Sequence, residues 1–176
     1  MLVERIHNDN NGFSILYKGK EILRQNKPPH PGPWNDGEMD QLIADLKHKF
    51  LNTIIIPEYL SKIKKHYNSC LSKPWVDKNG IPWNNGFISL QRLQSKYKLK
   101  QTLNEETIKL YDYNNNPHTF YVNSDEINQL LLDFATYLEA LFEDYQDTRI
   151  AMRNAENENI LISLYRTFIE KYPITD

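Results

Sequence analysis

The chain has 176 residues, 40% of them hydrophobic, enough for one domain or two small ones to bury a core, so a disordered chain is excluded. Its 21 basic and 23 acidic side chains are mixed along the sequence and leave a formal net charge of −2, so no basic face is expected to grip a phosphate backbone and nucleic acid is not an expected partner. A single cysteine, Cys70, excludes an intrachain disulfide and any cysteine cluster for zinc or iron–sulfur; it is expected to pack a helix in a reducing compartment.

Met1 to Asn10 carries no basic region followed by an apolar core, and no apolar run approaches the ~18 residues that span a bilayer. A soluble protein without a targeting segment is the expectation. Leu2 to Ile6 and Phe13 to Leu23 read as short strands of a β-meander, with Asn8-Asp9-Asn10-Asn11-Gly12 as one turn and Lys18-Gly19-Lys20 as another. The run KPPHPGP over 27–33 holds four prolines without backbone N–H groups, which predicts an extended, exposed connector, open to protease and suited to lying along a partner. Trp34 follows it. Asp36 is the expected N-cap of a helix whose Met39, Leu42, Ile43, Leu46 and Phe50 recur with a 3.6-residue period. The β-branched run Thr53 to Ile56 reads as a short buried strand, and Pro57 opens a helix that turns Leu60, Ile63, Tyr67 and Leu71 inward.

Beyond Ser72 the chain is richer in turns. Lys73-Pro74-Trp75, Asp77-Lys78-Asn79-Gly80 and Ile81-Pro82-Trp83-Asn84-Asn85-Gly86 interrupt regular structure, and Ser89 is the expected cap of a short helix with Leu90, Leu93 and Tyr97. Thr107 to Tyr113 and His118 to Val122, separated by Asn114-Asn115-Asn116-Pro117, predict a hairpin. From Asn123 to Ala155, Ile127, Leu131, Phe134, Leu138, Leu141, Tyr145, Met152 and Ala155 recur at spacings of four and three, interrupted at Thr148, and predict one long amphipathic helix capped by Asn123 or Ser124. Leu130, Leu132, Ala135, Tyr137 and Phe142 broaden that stripe, which favours packing within the chain over a purely oligomeric seam. A last helix carries Ile160, Leu161, Leu164, Tyr165 and Phe168 toward Pro173. No internal repeat is legible. The fold class is therefore α+β: residues 1–71 form an N-terminal β-meander with two helices and the proline-rich connector, and residues 72–176 a turn-rich β-hairpin packed on a long helix and a final helix.

Candidate chemistry is sparse. His7, His30, His48, His66 and His118 lack the spacings that place two imidazoles on one metal, and no motif of a nucleophile elbow, phosphate loop or dinucleotide fold occurs, so no catalytic residue, cofactor or metal is expected. Asp133, Glu139, Glu143, Asp144 and Asp147 are expected on the solvated face of the long helix. Trp75 and Trp83 stand among Asp77, Asn79, Asn84 and Asn85, a mixture suited to stacking on a sugar and bonding its hydroxyls, although anchoring of the loop by both rings is the stronger expectation. Trp34, Trp75, Trp83, Asn84 and Asn85 are the candidate partner or glycan contacts.

The segment WVDKNGIPWNNGFISLQRL, the hairpin IKLYDYNNNPHTFYV and the helix EINQLLLDFATYLEALFEDYQDTRIAMRNAEN, in that order, resemble a domain of unknown function common in small bacteriophage proteins encoded near tail fibre genes. The likeness spans about Pro74 to Leu164 and rests on element order and helix pattern; it supplies no active-site residues. It implies a non-enzymatic structural or connector protein of a phage tail, fibre- or baseplate-associated, in the virion tail or in the host cytoplasm during assembly. The implied partners are other tail proteins, with self-association a further possibility. A fibre-assembly chaperone absent from the mature particle and a carbohydrate-binding adhesin module are the alternatives.

Overall fold

A computed structural model describes residues 3–8, 12–17, 20–26 and 36–174. The proline run 27–33 and Trp34 lie outside the described residues. The fold is α+β. Two compact units divide it: one holds the chain up to Tyr59 together with Met152–Ser163, the other Leu60–Ala151 together with Leu164 onward. The boundary expected between residues 71 and 72 instead coincides with the end of a helix in the second unit.

In the first unit, β1 (Val3–Asn8), β2 (Gly12–Tyr17) and β3 (Lys20–Asn26) form an antiparallel meander in that order. Val3 pairs with Tyr17 and Asn8 with Gly12, and Tyr17 pairs with Lys20 across residues 18–19. The register of β2 on β3 slips between Ile15 and Leu16, whose partners are Leu23 and Glu21, so one β3 residue is left over in a bulge. Helix α1 (Asp36–Phe50) then runs through a π-helical stretch, Leu51–Ile55, directly into α2 (Ile56–Ser72). The expected strand at Thr53 to Ile56 is thus helical. Asn52 and Thr53 donate side-chain hydrogen bonds to the carbonyls of His48 and Lys49, four residues back, at 3.0 and 2.9 Å, which suits a helix and outweighs the β-branched composition. The wide turn, closed by the Ile56 N–H on the Leu51 carbonyl, shifts the acceptors by one residue just where Pro57 offers no N–H. Among the described residues of this unit Phe50, Leu51, Ile55, Ile56, Tyr59, Met152, Ala155 and Leu161 are buried apolar side chains.

The second unit contains two small hairpins and the helices that cover them. β4 (Trp75–Val76) pairs with β5 (Pro82–Trp83), Trp75 opposite Trp83. β6 (Thr107–Tyr111) pairs with β7 (Pro117–Tyr121) so that Ile108 faces Phe120 and Leu110 faces His118. Between the hairpins lies α3 (Phe87–Thr102). Ser89 is not its cap: Gly86 occupies that place at φ 93°, a conformation that favours glycine, and the Ser89 hydroxyl donates to the Asn85 carbonyl at 2.9 Å. The long helix is present as α4 (Asp125–Arg153), 29 residues, with Ser124 Oγ accepting the Ile127 N–H at 3.5 Å and Asp125 and Glu126 in the first turn. α5 (Glu158–Lys171) closes the chain, with Asn157 Oδ1 accepting the Ile160 N–H.

The predicted stripe of α4 is buried throughout: Ile127, Leu131, Phe134, Leu138, Leu141, Tyr145 and Met152 are all inside. At its N-terminal end Ile127, Leu130 and Leu131 pack with Ile108, Leu110 and Phe120 of the hairpin and with Trp83. One turn further, Phe134 and Leu138 pack with Leu90 of α3. Of the broadening residues, Leu130 is buried, whereas Leu132 and Phe142 are exposed.

Candidate functional site

The two hairpins are held by the same device. In the first, the Asp77 N–H donates to the Ile81 carbonyl and the Gly80 N–H to the Asp77 carbonyl, both at 3.0 Å. Its carboxylate turns inward: Oδ1 accepts the Asn79 and Ile81 N–H groups at 2.8 and 2.9 Å, and Oδ2 accepts the Trp83 indole N–H at 2.9 Å. Thirty-five positions later the pattern returns, by the difference between 77 and 112. Asp112 N–H donates to the Asn116 carbonyl and Asn115 N–H to the Asp112 carbonyl; Oδ1 accepts Asn114 and Asn116 N–H, each at 2.8 Å. Oδ2 accepts the Asn116 side-chain amide at 3.0 Å and meets His118 Nε2 at 3.2 Å. Gly80 and Asn115, the same place in each turn, both have positive φ, 79° and 64°. An internal repeat exists after all, written as Asp-x-Asn-(Gly/Asn)-x-Pro-(Trp/His) at 77–83 and 112–118.

Each residue type in that spacing has a reason. Aspartate can serve its own backbone two and four residues on, glycine or asparagine tolerates the left-handed turn, and proline sits where no N–H is needed. The repeats touch: the Tyr113 N–H donates to the Pro82 carbonyl at 2.7 Å, and the Trp83 and His118 rings lie 5.3 Å apart. At Asp112, burial opposes ionisation, but the hydrogen bonds from Asn116, His118 and Asn114 outweigh it and hold the carboxyl below the usual carboxylate range. Both aspartates are committed to the turns and are not presented to a substrate.

The candidate contact residues separate accordingly. Trp83 is 1% exposed with its N–H consumed, so its face is closed to a sugar. Trp75 is half-buried and lies flat on Phe134, centroids 4.8 Å apart and planes within 10°, with Tyr137 beside it. Asn85 spans the end of α2 and the start of α3, its amide donating to the Cys70 carbonyl at 2.9 Å and its oxygen accepting the Gly86 N–H at 2.7 Å. Among the described candidates only Asn84 stays exposed. Together Trp83 and Asn84 line a groove of about 260 Å³ with Ser89, Arg92 and Leu93 of α3 and Tyr111 of β6. Sequence reading missed Arg92 and Tyr111, because neither stands in a motif.

A second polar knot ties the C-terminus of α5 to two other helices. The Tyr172 hydroxyl donates to Asp144 on α4, which also pairs with Lys171 at 2.5 Å. The Tyr172 carbonyl accepts from His66 Nε2 at 2.8 Å and from the Cys70 thiol at 3.7 Å, both on α2. Lys171 first and the Tyr172 hydroxyl second lower the Asp144 pKa, while burial first and Asp144 second push the Tyr172 phenol up. Asp144, expected on the solvated face, is therefore a structural anchor.

Among the described residues no group of His, Cys, Asp and Glu side chains is arranged to hold a metal ion, and no helix is long and apolar enough to cross a membrane. Comparison with known protein families, with characterised proteins and with solved structures finds no match for this chain.

Proposed function

We propose that this chain is a non-enzymatic structural or connector protein of a bacteriophage tail, associated with the fibre or baseplate and acting through protein–protein contacts. The tail context rests on the likeness of residues 74–164 to phage domains encoded beside tail fibre genes. The contact role rests on one observation: Phe87 and Phe142, 47% and 43% exposed, meet edge to face at 6.2 Å, and Ile88 beside them is 66% exposed. Single apolar side chains on a surface are ordinary, whereas paired aromatic rings next to an aliphatic one resemble the centre of an interface. The engagement of Asp77, Asp112 and Asp144 in holding the fold also supports a scaffold over an acid–base catalyst. The burial of Trp83 and the stacking of one Trp75 face on Phe134 weigh against the adhesin alternative.

Quantitative mass spectrometry of purified particles tests this, with the protein expected at a fixed ratio to the tail subunits. Its absence from particles, with abundance in infected cells, would replace the component by an assembly chaperone. A Phe87→Ser, Phe142→Ser double variant is expected to fold normally and yet fail to enter particles; normal incorporation would remove the contact role of this patch.

A further inference from the structure

We propose that the groove between α3 and the two hairpins binds a small monocarboxylate with a planar or apolar body. Helix α3 carries Arg92, Lys96, Lys98 and Lys100 and no acidic residue. Lys100 is paired with Glu105. Lys96 reaches across to β6, its Nζ donating to the Lys109 carbonyl at 2.5 Å and lying 5.9 Å from the Tyr111 ring centroid. That contact orients the helix: Arg92, one turn before Lys96, lies on the face turned toward β6, where it lines the groove with Tyr111. Arg92 makes no ion pair among the described residues. The turn carboxylates Asp77 and Asp112 are engaged by their own turns and form no ion pair with it.

A guanidinium presents a planar fork of N–H groups that matches the two oxygens of a carboxylate. The remaining lining supplies a place for the ligand body, with Leu93 as apolar wall and the exposed Tyr111 ring at the rim, over a floor closed by the buried Trp83. The Ser89 hydroxyl donates its hydrogen bond to the Asn85 carbonyl, so its oxygen is left to accept, while the exposed Asn84 amide can donate to a second ligand oxygen. Among the described residues Arg92 is the charged side chain of the lining, and a single guanidinium fork matches the two oxygens of one carboxylate, which favours a carboxylate over a phosphate dianion. The volume of about 260 Å³ lies below the common range for drug-sized ligands and limits the body to about one ring.

The test is a titration of the full chain with benzoate, followed by amide and indole NMR at low salt, with benzamide as the uncharged isostere. Saturable shifts are expected at Asn84, Ser89, Arg92 and the Trp83 indole with benzoate and none with benzamide. Arg92→Gln is expected to weaken benzoate by about tenfold or more, and Arg92→Lys, which keeps the charge without the fork, by less. N-acetylphenylalanine, a mimic of a chain terminus, distinguishes a peptide source of the carboxylate from a free aromatic acid by which of the two binds more tightly. No saturable shift with millimolar benzoate or N-acetylphenylalanine, equal binding of benzamide, or undiminished binding by a folded Arg92→Gln variant would each overturn the proposal.

Discussion

Replacing Asp77 by asparagine removes one charge from the first turn and changes one hydrogen-bonding role. If the new amide oxygen stays at the Oδ1 position, the Asn79 and Ile81 N–H groups keep an acceptor, but a neutral one, at a loss of roughly 1 kcal/mol each. The amide nitrogen then faces the Trp83 indole, which can only donate, and this N–H has no route to water because Trp83 is 1% exposed. An orphaned buried donor costs about 1–3 kcal/mol more. Flipping the amide rescues the indole and orphans two backbone donors, so the unflipped form sets the cost. The sum is roughly 3–5 kcal/mol, a large share of the ~5–15 kcal/mol that stabilises a typical domain. At ~2–4 °C per kcal/mol for a chain of this size, the melting midpoint should fall by roughly 6–20 °C. Asp112→Asn is the internal control. There the neighbours of Oδ2 can reverse roles, since the Asn116 carboxamide can present its oxygen and His118 can accept at Nε2 in its other neutral tautomer. It should therefore lower the midpoint less. Urea and thermal unfolding of both variants check this, together with Asp77→Asn in a Trp83→Phe background, where the orphan disappears and a coupling of about 1–3 kcal/mol should emerge. An Asp112→Asn loss equal to or above that of Asp77→Asn, or additive effects with Trp83→Phe, would refute the reasoning.

Leu138, fully buried beside Phe134 and Leu90, should cost ~2–5 kcal/mol when cut to alanine, lowering the unfolding midpoint at every protein concentration. An unchanged melt with a weakened oligomer in ultracentrifugation would instead make α4 an association seam. Tyr172→Phe should lose about 1–2 kcal/mol near neutral pH, modest because Asp144 is a third exposed. The folded state raises the phenol pKa, so its contribution is whole below the ordinary tyrosine value of 10.0 and is lost as pH climbs beyond it. Wild type should accordingly lose stability above that pH, and the phenylalanine variant should lose less there; identical alkaline profiles would assign the fall to another group.

Periodicity alone was enough to recognise α4, because a 29-residue helix with one continuous apolar stripe has no competing way to bury it. The meander and the β6–β7 hairpin were legible for a related reason, strand alternation bounded by turn formers. The stretch 51–55 was misread as a strand since β-branched residues are weak local signals, while the back-bonding of Asn52 and Thr53 and the helices on both sides decide the outcome. Composition around Trp75 and Trp83 could not tell a sugar platform from an anchor. Packing of one ring on Phe134 and capture of the other's N–H by Asp77 make that choice, and both depend on residues brought together by folding. The repeated turn was present in the sequence as two aspartates six residues ahead of Trp83 and His118, yet became visible only through the hydrogen bonds. What the amino-acid order determines here is local, namely which segments coil, extend or turn. Which carboxylates are consumed, which rings stay accessible and which side chains line the groove with Arg92 are decided by tertiary structure, because burial and hydrogen-bond partners belong to neighbours distant in the chain.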